Sequence, residues 1–216
     1  MQILTINTTA RDACITGDLA TADRLLTQEV KTDSNDYNSY ANRSFVMARK
    51  ADWDRALDEA LKVIKLTPLS HIGYQLQHAA LHGAQRYDEA IEAFKIMLSR
   101  LENAPDTQTR KLRQQYINPS EAERDIRVTI NTQLDNAPRR LLNTFTGRLC
   151  DRVAQINAFK TSAEYKELLS STLVHVDLRM ERIKDVVEKY FRYVTLSHRW
   201  EEKEPRLNDI QDKVVV

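Results

Sequence analysis

Apolar side chains fall on helical spacing through the first hundred residues. Tyr40, Met47, Trp53, Ala56, Leu57, Ala60 and Ile64 trace one stripe on each of two successive helices. The same stripe returns as Tyr74, Leu81, Tyr87, Ala90, Ile91, Phe94 and Leu98. Set against one another, Leu19, Trp53 and Tyr87 stand 34 residues apart, and so do Ala22, Ala56 and Ala90. Three helix–turn–helix units follow, over residues 3–31, 37–68 and 71–102, with inner turns at Gly17-Asp18-Leu19, Ala51-Asp52-Trp53 and Gln85-Arg86-Tyr87. The alanines are small where two helices cross closely. Pro68 ends its helix because a proline nitrogen has no proton to give to the ladder. The first unit, with Thr8 and Thr9 at helix positions, is the least regular, as terminal repeats are.

After Ala104-Pro105-Asp106 the period is lost. Asn118-Pro119-Ser120-Glu121 reads as a helix start, with a capping side chain and then proline in the first turn. Ile126, Ile130 and Leu134 form its stripe, and Asn136-Ala137-Pro138 stops it. This helix is expected to cover the open end of the stack, which otherwise exposes apolar surface. Beyond Pro138 the segment Arg140-Leu141-Leu142-Asn143-Thr144 has extended character, with Gly147 after it. Thr161-Ser162-Ala163-Glu164 reads as a capping box opening a helix through Tyr165, Leu168 and Leu169. Leu178, Ile183, Val186, Val187 and Tyr190 indicate a further helix. Tyr193-Val194-Thr195-Leu196-Ser197, β-branched and aromatic, reads as a strand. The expected class is all-α: a superhelix of three helix pairs plus capping helices, then a small, mostly helical segment with one or two short strands. The expected division is 1–104, 105–138 and 139–216.

Composition narrows the function. The chain has 216 residues, only four glycines and a net charge of +1. Charge this balanced gives no reason to expect nucleic acid, and no apolar run approaches the ~18 residues of a membrane span. Cys14 and Cys150 show no pairing pattern, so a reducing, cytoplasmic setting is expected, with Cys14 in a core. Arg110-Lys111-Leu112-Arg113 reads as a solvated helix face.

The 34-residue period is that of the tetratricopeptide repeat, and the first half of the chain resembles that family. Its second unit, through Tyr40-Ala41-Asn42-Arg43-Ser44, Asp52-Trp53-Asp54-Arg55-Ala56-Leu57 and Val63-Ile64-Lys65-Leu66-Thr67-Pro68, is similar to the middle repeat of co-chaperones that grip a C-terminal carboxylate of heat-shock chaperones. There an asparagine of the middle repeat works with a lysine and an asparagine of the first and a lysine and an arginine of the third. Asn42 matches the middle position. Leu4, Thr8, Ile72 and Leu76 stand at the other four, which points away from that clamp and toward a more apolar groove suited to an amphipathic helix or internal segment. Groove residues expected to contact a protein or peptide partner are Asn42, Arg43, Gln75 and Gln77, with Tyr40 and Tyr74 along the wall.

A second resemblance lies near the C-terminus. Arg140-Leu141-Leu142-Asn143-Thr144, followed at a distance by Tyr193-Val194-Thr195-Leu196-Ser197-His198-Arg199-Trp200, is similar to the start of the fungal heterokaryon-incompatibility (HET) domain. Glu201 stands where that family has glycine. The resemblance implies a role in non-self recognition, with Tyr193, Leu196, Ser197, His198, Arg199 and Trp200 as the motif. It also implies kinship with Toll/interleukin-receptor-like folds, whose nucleotide-cleaving residues are expected beyond Val216.

Catalytic candidates are few. Ser197 and His198 are adjacent, so on a strand they point to opposite faces. His78 and His82 share a helix face at zinc-chelating spacing, yet no carboxylate falls between them and no CxxC completes a site. No glycine-rich phosphate loop is present. The expectation is a binding scaffold with no catalytic residues, metal or cofactor. The alternatives are a chaperone-binding co-chaperone module and a fragment of an NAD-cleaving enzyme.

Overall fold

The computed structural model describes residues 10, 12–135, 137–143, 147–174 and 179–194. Its helices are α1 (Leu19–Thr32), α2 (Tyr37–Arg49), α3 (Trp53–Leu66), α4 (Ile72–Gly83), α5 (Tyr87–Glu102), α6 (Thr107–Leu112), α7 (Pro119–Asp135), α8 (Arg152–Thr161), α9 (Ala163–Thr172) and α10 (Arg179–Tyr190), with a 3-10 turn at Arg113–Gln115. Among the described residues the two strands are β1 (Arg140–Asn143) and β2 (Arg148–Asp151). The fold is all-α, and the chain divides into two compact units. The first holds Met1–Pro119 and Leu169–Val176, the second Ser120–Leu168 and Asp177–Val216.

In the first unit the 34-residue interval is written into the backbone. Gly17, Ala51 and Gln85 all take left-handed conformations, with φ of 82°, 58° and 62°. Each directly precedes the N-cap of the second helix of its pair. A left-handed residue reverses the chain tightly and frees the next residue to cap. Asp18 then accepts from Thr21 N–H at 3.0 Å and Asp52 from Arg55 N–H at 3.4 Å. In the third unit Arg86 takes the cap position without a side-chain cap bond and pairs with Glu89 instead. Asp36 opens α2 by accepting from Asn38 and Ser39 N–H. The helices expected at 37–68 and 71–102 therefore form where the pattern placed them, and helical residues 12–16 precede Gly17.

Successive helices bury the expected stripe. Ala22, Val46, Met47, Ala56 and Ala80 are almost wholly enclosed in one cluster, with Cys14, half-buried, packed against it. Two glycines fix the closeness of approach. A Cβ at Gly73 meets Ile64 Cγ1 at 2.6 Å and its backbone N at 2.9 Å, and one at Gly83 strikes the Trp53 indole. Ser44, buried, donates to the Ala56 carbonyl at 2.8 Å, tying α2 to α3.

At the end of the stack, larger side chains take the repeat positions. Thirty-four residues after Ser44, Ala48, Ala60 and Val63 come His78, His82, Phe94 and Met97. These larger side chains meet Tyr116 and residues from the end of α9. Phe94 and Tyr116 rings lie edge to face at 5.8 Å, and Ile117 N–H donates to the Leu173 carbonyl at 3.4 Å. The basic cluster also has structural work. Arg110 donates to the carbonyls of Ala104 and Pro105, while Arg113 pairs with Glu102 at 2.7 Å and donates to the Tyr116 carbonyl.

In the second unit, the Ile126, Ile130 and Leu134 stripe of α7 is buried as its spacing predicts, together with Ala122. β1 pairs antiparallel with β2, Arg140 opposite Asp151 and Asn143 opposite Arg148, and Gly147 at φ 65° helps turn the chain. Arg152 donates to the carbonyls of Leu134 and Ala137, closing the C-terminal end of α7. Phe159, fully buried, centres a ring cluster with Tyr165, Tyr190 and Phe191 at 5.4, 4.5 and 5.2 Å. Arg179 pairs with Asp125 at 3.1 Å. The strand expected at 193–197 is corrected at its two described residues: Tyr193 and Val194 are exposed and carry no regular structure, whereas the extended stretch expected from Arg140 forms β1, paired with β2. Leu196, Ser197, His198, Arg199 and Trp200 lie outside the described residues, as do Leu4 and Thr8.

Candidate functional site

The first helices of the second and third pairs, α2 and α4, are neighbours and present one outward row each. On α2 it is Asn38, Asn42, Phe45 and Arg49; on α4 it is Ile72, Gln75, Leu76 and Ala79. The period makes 38 equivalent to 72, 42 to 76 and 45 to 79, so the two rows lie in register. Asn42, Gln75 and Ala79 are exposed, Ile72 and Leu76 half-buried, and Phe45 is 51% exposed with the Arg49 guanidinium over its ring at 5.9 Å. The face is chemically mixed: apolar at Phe45, Ile72, Leu76 and Ala79, hydrogen-bonding at Asn42 and Gln75.

The other anticipated groove residues have different occupations. Arg43 is held by Glu59, its Nη2 2.8 Å from each carboxylate oxygen, with side-chain exposures of only 11% and 9%. Its guanidinium also stacks on the Tyr40 ring at 5.7 Å, and Lys62 sits over the same ring at 5.4 Å while reaching Glu59 at 3.1 Å. Ser39 adds a bond to Glu29 at 2.9 Å. Arg43 and Tyr40 thus join a polar seam between α1, α2 and α3. Tyr74 is covered by the Arg100 guanidinium at 5.7 Å, a contact between α4 and α5. Gln77 is half-buried.

The helix face shared by His78 and His82 holds a contact that their spacing does not reveal. Ser170 Oγ sits 2.9 Å from His82 Nδ1 and 3.3 Å from His78 Nε2. The two imidazoles stack at 6.0 Å, His78 tilts onto Phe94 at 5.1 Å, and His82 meets the edge of Tyr87 at 5.4 Å. Burial, with a smaller contribution from the neighbouring His82, lowers the His78 pKa to about 4. A serine between two imidazoles has the elements of a nucleophile–base pair, but Ser170 is fully enclosed and leaves no place for a substrate carbonyl. Nothing in the sequence announced this contact, because 88 residues separate His82 from Ser170.

Beside the histidines lies a cavity of about 260 Å³, lined by Gln75, His78, Ala79, His82, Phe94, Met97, Tyr116, Ser171 and Val174. Gln75 and Ala79 also belong to the outward row of α4, so the cavity opens from that face. A second, shallower depression of about 490 Å³ runs along α1, past Asp23, Arg24, Thr27, Lys31 and Arg55. Asp23 there is bridged to Lys50 at 2.8 Å. Among the described residues, no three His, Cys, Asp or Glu side chains converge to hold a metal, and no helix is long and apolar enough to cross a membrane.

No protein-family profile matches the chain. Among curated proteins, human "Tetratricopeptide repeat protein 28" is 33% identical over 85 residues. The match takes 39% of this chain and only 3% of that protein's length. Among solved structures, the "Arabidopsis OM64 TPR domain" aligns with a TM-score of 0.43 and 15% identity, over 51% of this chain and 89% of that one. In sequence, then, the chain is similar to a tetratricopeptide repeat protein over part of its length.

Proposed function

We propose that the first unit is a protein-interaction scaffold that holds a partner's amphipathic helix or internal segment along the outward rows of α2 and α4. The observation that carries this is the registered pair of rows, with Phe45, Ile72, Leu76 and Ala79 offering apolar contact and Asn42 and Gln75 offering hydrogen bonds. An apolar face of this kind suits anchors at i, i+3 and i+4 of a helix. The period and the similarity to a tetratricopeptide repeat protein support the same reading. Peptides selected from a displayed random library on the full chain should carry spaced apolar anchors and lose at least tenfold in affinity on Phe45→Glu or Leu76→Glu. Tight, salt-sensitive capture of an acidic chaperone C-terminal peptide, unaffected by those changes, would favour the co-chaperone reading instead.

The partner's biological setting is proposed from sequence alone. The likeness of 140–144 and 193–200 to the opening of the HET domain supports a place in a fungal non-self recognition or signalling protein, in the cytoplasm. Turnover of NAD by this chain, lost on Ser197→Ala or Trp200→Ala, would instead mark a fragment with enzymatic activity.

A further inference from the structure

A cavity of about 260 Å³ lies at the end of the third helix pair. We propose that it receives one aromatic side chain of the polypeptide bound along α4, and so selects partners that carry an aromatic residue at that register. The inference rests on the proposed groove, and it adds a specificity pocket to it.

Three features of the cavity lead there. Its volume of about 260 Å³ suits one large side chain rather than a helix or a cofactor. Its walls are ring faces, edges and a thioether: Phe94, Tyr116, His78, His82 and Met97. Offset and edge-on ring contacts and sulfur–ring contacts favour an aromatic guest over an aliphatic one of equal area. Its lining also includes the exposed Gln75, whose side-chain amide can meet an indole N–H or a phenol hydroxyl, which an aromatic guest brings and a leucine does not.

Continuity with the groove identifies the guest as part of a polypeptide. Gln75 and Ala79 line the cavity and are exposed on the outward row of α4. A segment lying over Ile72, Leu76 and Ala79 therefore passes the opening, where a single side chain can turn in. The walls have a built reason to stay in place. His78, Phe94 and Met97 are enclosed, and Ser170 ties both imidazoles to the end of α9.

Side-chain probes test this on the full chain. The protein is labelled with ¹³C at methionine methyls and titrated with N-acetyl-tryptophanamide, N-acetyl-leucinamide and N-acetyl-lysinamide. Both Met97 and Met47 are enclosed, but Met97 borders the cavity and lies within ring-current range of a guest, whereas Met47 belongs to the core of the first two pairs. Tryptophanamide should shift the Met97 methyl saturably by ring current while leaving Met47 and Met180 in place, and should bind roughly two- to tenfold tighter than leucinamide. Ala79→Phe, which puts a ring at the opening, should abolish the Met97 shift, and Val153→Ser, at an exposed residue of the second unit, should not. An unmoved Met97 methyl at millimolar tryptophanamide overturns the pocket, and so does an equal response to lysinamide. Either failure leaves the groove to be judged separately, by the peptides that depend on Phe45 and Leu76.

Discussion

His78 should make the first unit sensitive to acid, and the size of the effect follows from its surroundings. The ring is 5% exposed, and its pKa falls from 6.5 to about 4, chiefly because burial penalises the charged form. An unfolded chain binds the proton near pH 6.5, whereas the folded one resists it until pH 4. Between those limits the unfolded state carries more protons, so stability falls as pH falls. The full difference is about 3 kcal/mol, and the portion lost between pH 7 and pH 5 is about 2 kcal/mol. Trp53, on α3, packs against Gly83, which lies on the same helix as His78, and so reports this unit. Urea unfolding would be followed by its fluorescence in a Trp200→Phe background, which leaves Trp53 as the sole tryptophan. The comparison is with His78→Gln, whose amide keeps a hydrogen bond to Ser170 without a titrating ring. The parent should lose about 2 kcal/mol more than the glutamine variant on going from pH 7 to pH 5. Curves that decline in parallel would falsify the assignment of the acid sensitivity to this ring.

Other perturbations follow from the same geometry. Gln85→Gly should stabilise the unit by about 1 kcal/mol, because φ of 62° strains any residue with a Cβ, and an unchanged melting temperature speaks against that strain. Gly73→Ala should cost about 1–3 kcal/mol by forcing a methyl against Ile64, read as a lower urea midpoint, with neutrality refuting the close approach. Glu59→Ala leaves the Arg43 guanidinium buried without its carboxylate and should cost about 3–5 kcal/mol. The double change Arg43→Met with Glu59→Leu should recover most of that loss in the same unfolding assay.

The repeat half was readable because its information is periodic and local. Each unit needs a small residue where helices cross, a left-handed turn residue and an aspartate to start the next helix. Gly17, Asp18, Ala51 and Asp52 meet those needs within a few residues of one another. Gln85 and Arg86 do not, and the third turn was found only through the 34-residue spacing. The half beyond Pro138 carried weaker signals. Arg140 to Asn143 has strand character, but its partner β2, Arg148–Asp151, lacks alternation strong enough to announce itself. Helix α8 went unread because its apolar residues are spread around it, and only Phe159 is wholly enclosed. The candidate site divided in the same way. Asn42 and Gln75 are exposed, whereas Arg43 and Tyr74 each meet a partner, Glu59 and Arg100, that a one-dimensional reading leaves unpaired. The histidine–serine contact depended wholly on a distant segment.

That distant segment bears on the order in which the molecule can assemble. Ile117 and Leu173 are joined by a backbone hydrogen bond, and 55 residues of another compact unit and its linkers intervene between them. Closing a loop of that length costs about 3–4 kcal/mol of chain entropy. A growing chain can stack the helices from Leu19 to Glu102 early, yet their last face stays wet until Ser170 and Leu173 have been made. A repeat array made without the segment that carries Ser170 and Leu173 would leave His78 and Phe94 facing water, and it would become prone to self-association.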